Sequence, residues 1–424
     1  MSERPMGYRE LVLRNANFRY LWSGQIISLL GDWFNLVASA ALVATLTESG
    51  LAVGTLFMVR MLAPFLVSPI AGVVADRYNR KWILILADLG RIFTALGFLL
   101  VDEPDEVWLL YLFSVLQLGI SGFFFPARSA ILPDIVPERA VGTANALTST
   151  TWSVMLAFGA ALGGLVAGTW GLKPAFLIDA MTFVLSAWCI TRIKLEVQPS
   201  LPAEEQHVAV ALRQYLDGVR YFKKHRQVAY ITLHKAALVL FFGAPLEVVS
   251  VAMARDIFVI GEGGSLSLGL MYAMAGVGTG VGPIFARRYT GDRIAALCSA
   301  IALAYGVAAV GLWIVGTLYS LQIVLLGIFI RACGSGILWV FSSQILLQVV
   351  PGEVRGRVFS TEYALVTLMS AVGAGLGGQY LEFFTIANAV HWMASVTMLP
   401  GILWLWWLMR NSMGKDDENL FPVK

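Results

Sequence analysis

Apolar stretches of about 20 residues, each long enough to cross a ~30 Å hydrocarbon layer as a helix, recur along the whole chain. Twelve are read, at 19–46, 52–75, 82–101, 107–131, 143–168, 173–193, 228–254, 266–286, 293–315, 319–346, 358–382 and 388–409. Backbone in lipid must satisfy its own hydrogen bonds, so only helices and closed barrels span a membrane. The alternating segments of about 10 residues that mark a membrane barrel do not occur here. Charged residues are 13% of the 424 and mean hydropathy is +0.74, against about 25% charged in soluble domains. The expected fold class is an all-α polytopic membrane protein with 12 transmembrane helices.

The opening MSERPMGYRELVLRNANFRY is polar and basic, and the first apolar run is too long for a signal-peptide core, so no cleavable leader is expected. Cys189, Cys298 and Cys333 fall far apart within spans, without disulfide or metal spacing, and read as apolar fillers. Neither a metal nor a cofactor is expected.

Lys and Arg cluster in alternate loops. One set holds Arg4, Arg9, Arg14 and Arg19, then Arg77, Arg80 and Lys81, then Arg139, the basic joint after span 6, Arg287, Arg288 and Arg293, Arg355 and Arg357, and Arg410, Lys415 and Lys424. The other set holds Lys173 and Arg255, and includes the acidic DEPDE at 102–106. Basic loops stay in the cytoplasm, which places both termini inside a cell membrane, with the bacterial inner membrane the favoured location.

The chain repeats itself. A shift of 214 residues lays SAILPDIVPERAVG (129–142) on SQILLQVVPGEVRG (343–356), and the same shift lays MLAFGAALGG (155–164) on MSAVGAGLGG (369–378). Parallel repeats of six spans are an arrangement used by transporters, with substrate near the midplane between halves. The domains are therefore read as a six-helix bundle at 1–193, a cytoplasmic joint at 194–227 and a second six-helix bundle at 228–424. In the joint, Leu212, Leu216, Val219 and Phe222 share one helical face among Arg and Lys, the pattern of a helix lying in the membrane interface.

GVVADRYNRK (72–81) sits between spans 2 and 3. It resembles the G-x-x-x-D-R-x-x-R-[RK] motif of the major facilitator superfamily, and twelve spans, a 6+6 repeat, a long central joint and inward termini extend the resemblance to the whole chain. The resemblance implies that Gly72 lets span 2 approach a helix of the other half, and that Asp76 faces a helix N-terminus, where a carboxylate is stabilised. Arg77 and Arg80 join that cytoplasmic gate, and Arg80 with Lys81 also orients the chain. The second-half counterpart GPIFARRYTG (282–291) lacks the Asp. GAALGG (159–164) resembles the span-5 antiporter motif of the superfamily with Ala160 where Pro is usual; its residues also suit plain close packing in lipid. SLLGDWFNLVA, FFFPARSAILPDIVP and FLIDAMTFVLSA resemble the 12-span export branch that includes macrolide efflux proteins and the enterobactin exporter, with lysophospholipid transporters related.

Charges inside spans cost at least about 2.5–3.5 kcal/mol at the bilayer centre, so they are functional candidates. Asp32 lies about 20 Å into span 1 and Arg60 about 12 Å into span 2 from the other side, at 1.5 Å per residue. Matched depth suggests a pair, with Asp32 either a proton carrier toggled by substrate or half of a structural ion pair. Arg331 in span 10 suits an anionic substrate group or a carboxylate. Asp88 and Arg91, three apart on span 3, are grouped with Arg128 on span 4 and Glu362 on span 11 as a gate network. Asp179 and Glu247 are read nearer the outside. Trp33, Phe34, Trp152 and Trp339 suit an apolar cavity.

The reading is a secondary active transporter working by alternating access, exporting an amphiphilic, drug- or siderophore-like compound in exchange for protons, as a monomer in the lipid bilayer. A lysophospholipid flippase or uniporter of the same fold is the near alternative, and a non-transporting receptor or scaffold the one from another class. No P-loop occurs for ATP-driven transport, no H-E-x-x-H or other enzyme motif is present, and no nucleic acid is expected as a partner.

Overall fold

The computed structural model describes residues 6–195 and 219–412. Most of the 194–227 joint, including Leu212 and Leu216 of the expected interfacial helix, lies outside the described residues. Twelve helices among the described residues are long and apolar enough to cross a membrane. They follow a short leading helix α1 (Tyr8–Arg14) in the order α2 (Ala16–Thr47), α3 (Gly50–Arg77), α4 (Arg80–Gly97), α5 (Val107–Ile135), α6 (Val141–Thr169) and α7 (Leu172–Thr191). The seventh span is two helices, α8 (Arg226–Leu238) and α9 (Ala244–Asp256), joined by a π-helical turn at Val239–Gly243. Then come α10 (Ser265–Thr290), α11 (Ile294–Gly316), α12 (Leu321–Val349), α13 (Gly352–Phe383) and α14 (Ile386–Ser412).

Helix starts have local causes. The Asn15 side chain accepts from Phe18 N at 2.8 Å, Asn79 accepts from Lys81 N and Trp82 N, and Ser320 accepts from Ile323 N; each satisfies donors the first turn leaves open. Pro64 and Pro69 in α3, Pro126 and Pro133 in α5, Pro283 in α10 and Pro400 in α14 stand inside continuous helices, which neighbouring helices make tolerable in membrane spans. Pro245 stands in the first turn of α9, separated from the π turn by Ala244 alone, where its missing N–H interrupts the ladder.

The chain forms two compact units, residues 1–48 with 62–212 and 259–269, and residues 49–61 with 213–258 and 270–424. In the first, α2 packs on α6 and α7, and α4 on α5 and α7. In the second, α9 packs on α13, and α11 on α12 and α14. Shifted by six spans, α2–α6, α4–α5 and α4–α7 recur as α9–α13, α11–α12 and α11–α14, so the sequence repeat is also a packing repeat. Its small residues mark the close approaches. A Cβ on Gly163 would lie 3.1 Å from the Trp33 carbonyl oxygen, and one on Gly377, its counterpart, 2.7 Å from Pro245 Cα. A Cβ on Gly164 would lie 2.7 Å from Gly269 Cα, and one on Gly378, 2.9 Å from Leu51 Cα. Lipid offers no hydrophobic drive to helix association, so backbone approach of this kind carries the packing.

Candidate functional site

In the first unit, intramembrane charge collects around α4. Asp88 and Arg91 form an ion pair one turn apart, both side chains buried. The Arg91 guanidinium lies between the rings of Phe124 and Phe183, 4.3 Å from each centroid, so aromatic faces replace the water that a cation loses on burial. On α7, Asp179 is 0% exposed and its Oδ2 accepts from Gln117 Nε2 at 3.1 Å; Asn35 Nδ2 in turn donates to Gln117 Oε1 at 3.4 Å. Asp32 acts electrostatically on both Asp88 and Asp179, and Arg91 acts on both as well. Asp32 thus links Asp179 electrostatically to the buried Asp88–Arg91 pair. Local sequence makes room for them: a Cβ on Gly31, the residue before Asp32, would meet Thr182 Oγ1 at 2.0 Å and Asp179 Oδ1 at 2.6 Å. Only glycine lets α2 come that close to α7.

Asp179, on α7, joins this cluster. Its hydrogen-bonding partners Gln117 and Asn35 are uncharged, and polar amides in a span give little signal in a hydropathy reading. Arg128 is half-buried on α5, over the Phe125 ring at 5.3 Å, and its charged neighbour is Arg91.

In the second unit Arg60 is 6% exposed. Arg60 and Arg331 both act on Glu247, and Arg60 and Glu247 both act on Tyr272. Arg331 also donates to Ser335 Oγ at 3.3 Å. Asp32 falls in the first unit and Arg60 in the second. Glu362 pairs with Lys235 of α8 at 2.7 Å, and Lys235 also donates to Ser343 Oγ at 2.8 Å and lies 4.5 Å from the Trp339 centroid. Within its unit Glu362 is therefore one half of a sealed ion pair. Lys235 was missed because it lies close to the basic joint. Its neighbour His234 is enclosed by Tyr305, Ser342 and Trp404.

The span 2–3 turn divides into separate roles. Arg80 donates to the Ala130 carbonyl at 3.0 Å and pairs with Asp134 at 2.6 Å, fastening α4 to the end of α5. Lys81 Nζ donates to the Thr191 and Ile193 carbonyls at 2.9 and 2.7 Å, closing the last turn of α7. Both side chains therefore tie helices of the first unit together. Arg77 is exposed in the last turn of α3. The Asp76 side chain lies outside the described residues. A Cβ on Gly72 would meet nothing within 4 Å. The close approaches on α3 fall instead at Gly50 and Gly54, where a Cβ would meet Leu381 Cβ at 2.6 Å and the Ala374 carbonyl oxygen at 2.8 Å.

Among the described residues no group of His, Cys, Asp and Glu is arranged to hold a metal ion. Twelve apolar helices in two like-packed units, with ionisable groups inside the spans, define a multi-pass membrane protein of transporter architecture. The chain belongs to the Major Facilitator Superfamily, whose sequence profile matches residues 21–330. It is 27% identical over 393 residues to the uncharacterized MFS-type transporter YfiS of Bacillus subtilis, covering 91% of each chain. It is 24% identical to the putative bacilysin exporter BacE of Bacillus amyloliquefaciens, covering 95% of this chain and 97% of that one. The multi-drug resistance efflux pump PmrA of Streptococcus pneumoniae is 30% identical over 169 residues, 40% of each chain. Among solved structures, a bacterial homologue of the iron transporter ferroportin superposes with a TM-score of 0.70 at 16% identity, covering 92% of this chain and 98% of that one. At that identity the likeness shows the fold alone.

Proposed function

We propose that this transporter exports an amphiphilic or hydrophobic small molecule, drug- or siderophore-like, across the bacterial inner membrane in exchange for protons. It works by alternating access as a monomer, with both termini in the cytoplasm and without catalysis. The observation that carries proton coupling is the first-unit cluster. Asp32 acts on both Asp88 and Asp179 beside the Asp88–Arg91 pair, and carboxylates that repel one another in a buried site favour uptake of a proton. Such a group inside a bilayer is expensive, which favours a functional role. Arg60 and Arg331, with Glu247, supply polar contacts to the compound in the second unit. The 72–81 turn acts in the cytoplasmic gate. Outward direction is supported by the printed roles of BacE and PmrA.

The test is proton flux in proteoliposomes under an imposed pH gradient, with lipophilic drugs and siderophores added in turn. Compound-dependent proton movement in the wild type, lost in Asp179→Asn or Asp32→Asn at equal insertion, is the expected result. Compound movement without protons, equal in all three proteins, would sink proton coupling and leave a uniporter or lipid flippase.

A further inference from the structure

The two copies of the repeat differ at one equivalent place, and in the first copy a cation there lines a small cavity. In the second unit that place is occupied from within. Lys235 is held by Glu362 Oε1 at 2.7 Å and Ser343 Oγ at 2.8 Å, over the ring of Trp339. The 214-residue shift takes Glu362 to Thr148, Ser343 to Ser129, Lys235 to Leu21 and Trp339 to Phe125. Thr148, Ser129 and Leu21 all line one small cavity in the first unit. Phe125 lies under Arg128, which lines the same cavity.

The first copy thus keeps a cation over an aromatic ring and a serine beside it, but has no carboxylate on α6. The charged group acting on Arg128 is another cation, Arg91, and no ion pair among the described residues includes Arg128. The cavity's other polar groups are held in place. Trp22 Nε1 donates to Thr151 Oγ1 at 2.8 Å, and Gln25 Nε2 donates to the Thr148 carbonyl at 3.2 Å. Asn145 completes the polar lining. A half-buried guanidinium with a second cation behind it favours an anion, and its planar donors suit a carboxylate or phosphate. The cavity is small, about 20 Å³, little more than a water needs, so the space suits one small charged group rather than a whole lipophilic molecule. All lining residues lie near the α1 end of the unit, which the basic loops assign to the cytoplasm.

We propose that the cavity bounded by Trp22, Gln25, Arg128, Ser129, Asn145 and Thr148 binds a single anionic group, a carboxylate or phosphate, that takes the place Glu362 fills in the other copy. The site is separate from the proton cluster, and binding to it is read without transport, so its failure leaves the export reading untouched.

Thermal unfolding of the purified full-length protein tests the site. In detergent at fixed ionic strength, sodium acetate should raise the wild-type Tm saturably, because a ligand of the folded state stabilises it by mass action. Acetamide, its neutral analogue, should not, and Arg128→Gln should remove the acetate response. Thr148→Glu, which supplies the second copy's carboxylate, should raise Tm and abolish the response, while Thr148→Gln should do neither. In nanodiscs, a phosphatidylglycerol-dependent rise that needs Arg128, with no acetate effect, would assign the anionic group to lipid. Equal behaviour of wild type and Arg128→Gln toward acetate and phosphatidylglycerol would overturn the proposal. So would a Thr148→Glu protein no more stable than Thr148→Gln, a comparison that stands even if the Arg128 variant does not fold.

Discussion

The Lys235–Glu362 pair has side chains 3% and 5% exposed, so removing one partner strands a charge where neither water nor a counter-ion can reach it. Breaking a buried pair costs about 3–5 kcal/mol, whereas replacing both partners by apolar groups of similar volume is often neutral or stabilising. Lys235→Met and Glu362→Gln should each lower Tm in detergent markedly, and the Lys235→Met/Glu362→Met double variant should recover most of the loss. Additive losses would mean that the two residues act independently. A depth argument finds Glu362 from the sequence as an intramembrane charge, but not its partner. Lys235 lies nine residues into its span, close enough to the basic joint to be taken for part of it. Asp179 shows the same limit from the other side. A charge in a span is visible in the sequence, while the side chains that hold it come from α2 and α5, far away in the chain.

At the scale of helices, the repeated Gly-Gly step has two competing effects on substitution. Alanine is favoured over glycine in a helix by about 0.8–1 kcal/mol, and overpacking costs about 1–3 kcal/mol. A Cβ at Gly377 would meet Pro245 Cα at 2.7 Å and its carbonyl oxygen at 2.9 Å, all backbone, while one at Gly356 would meet nothing within 4 Å. Overpacking should therefore win at the first site and helix propensity at the second. Gly377→Ala is expected to lower Tm, and Gly356→Ala, in the same helix, to leave it unchanged or raise it slightly. A Gly377→Ala protein as stable as the wild type would show that α13 and α9 can move apart at no cost. Helix number and limits were legible because long apolar runs have one outcome in lipid: the expected 19–46 and 293–315 spans lie within a few residues of Ala16–Thr47 and Ile294–Gly316. The π turn at Val239–Gly243 was not legible. Pro245 hints at a break there, but the local register also depends on Gly373, whose added Cβ would meet the Val239 and Leu240 carbonyl oxygens at 2.9 Å.

For the molecule as a whole, the basic loops make a claim about orientation that the two exceptions put under strain. Lys173 and Arg255 stand on the side that otherwise lacks Lys and Arg. Lys173 pairs with Asp102 at 2.5 Å, and Arg255 donates to Asp256 Oδ2 at 2.7 Å. Local pairing does not excuse them, because the orientation rule counts Lys and Arg rather than net charge. The asymmetry holds with both included, since the opposite loops carry clusters such as Arg77, Arg80 and Lys81, and Arg287, Arg288 and Arg293. The DEPDE turn should then face the periplasm and the 72–81 turn the cytoplasm. The three native cysteines, two buried and one half-buried within spans, leave single introduced cysteines readable against a low background. Asp105→Cys should react with a membrane-impermeant maleimide in intact spheroplasts. Tyr78→Cys, at an exposed position in the span 2–3 turn, should react only after permeabilisation. The reverse pattern would invert the whole molecule and, with it, the side from which the Arg128 cavity is reached.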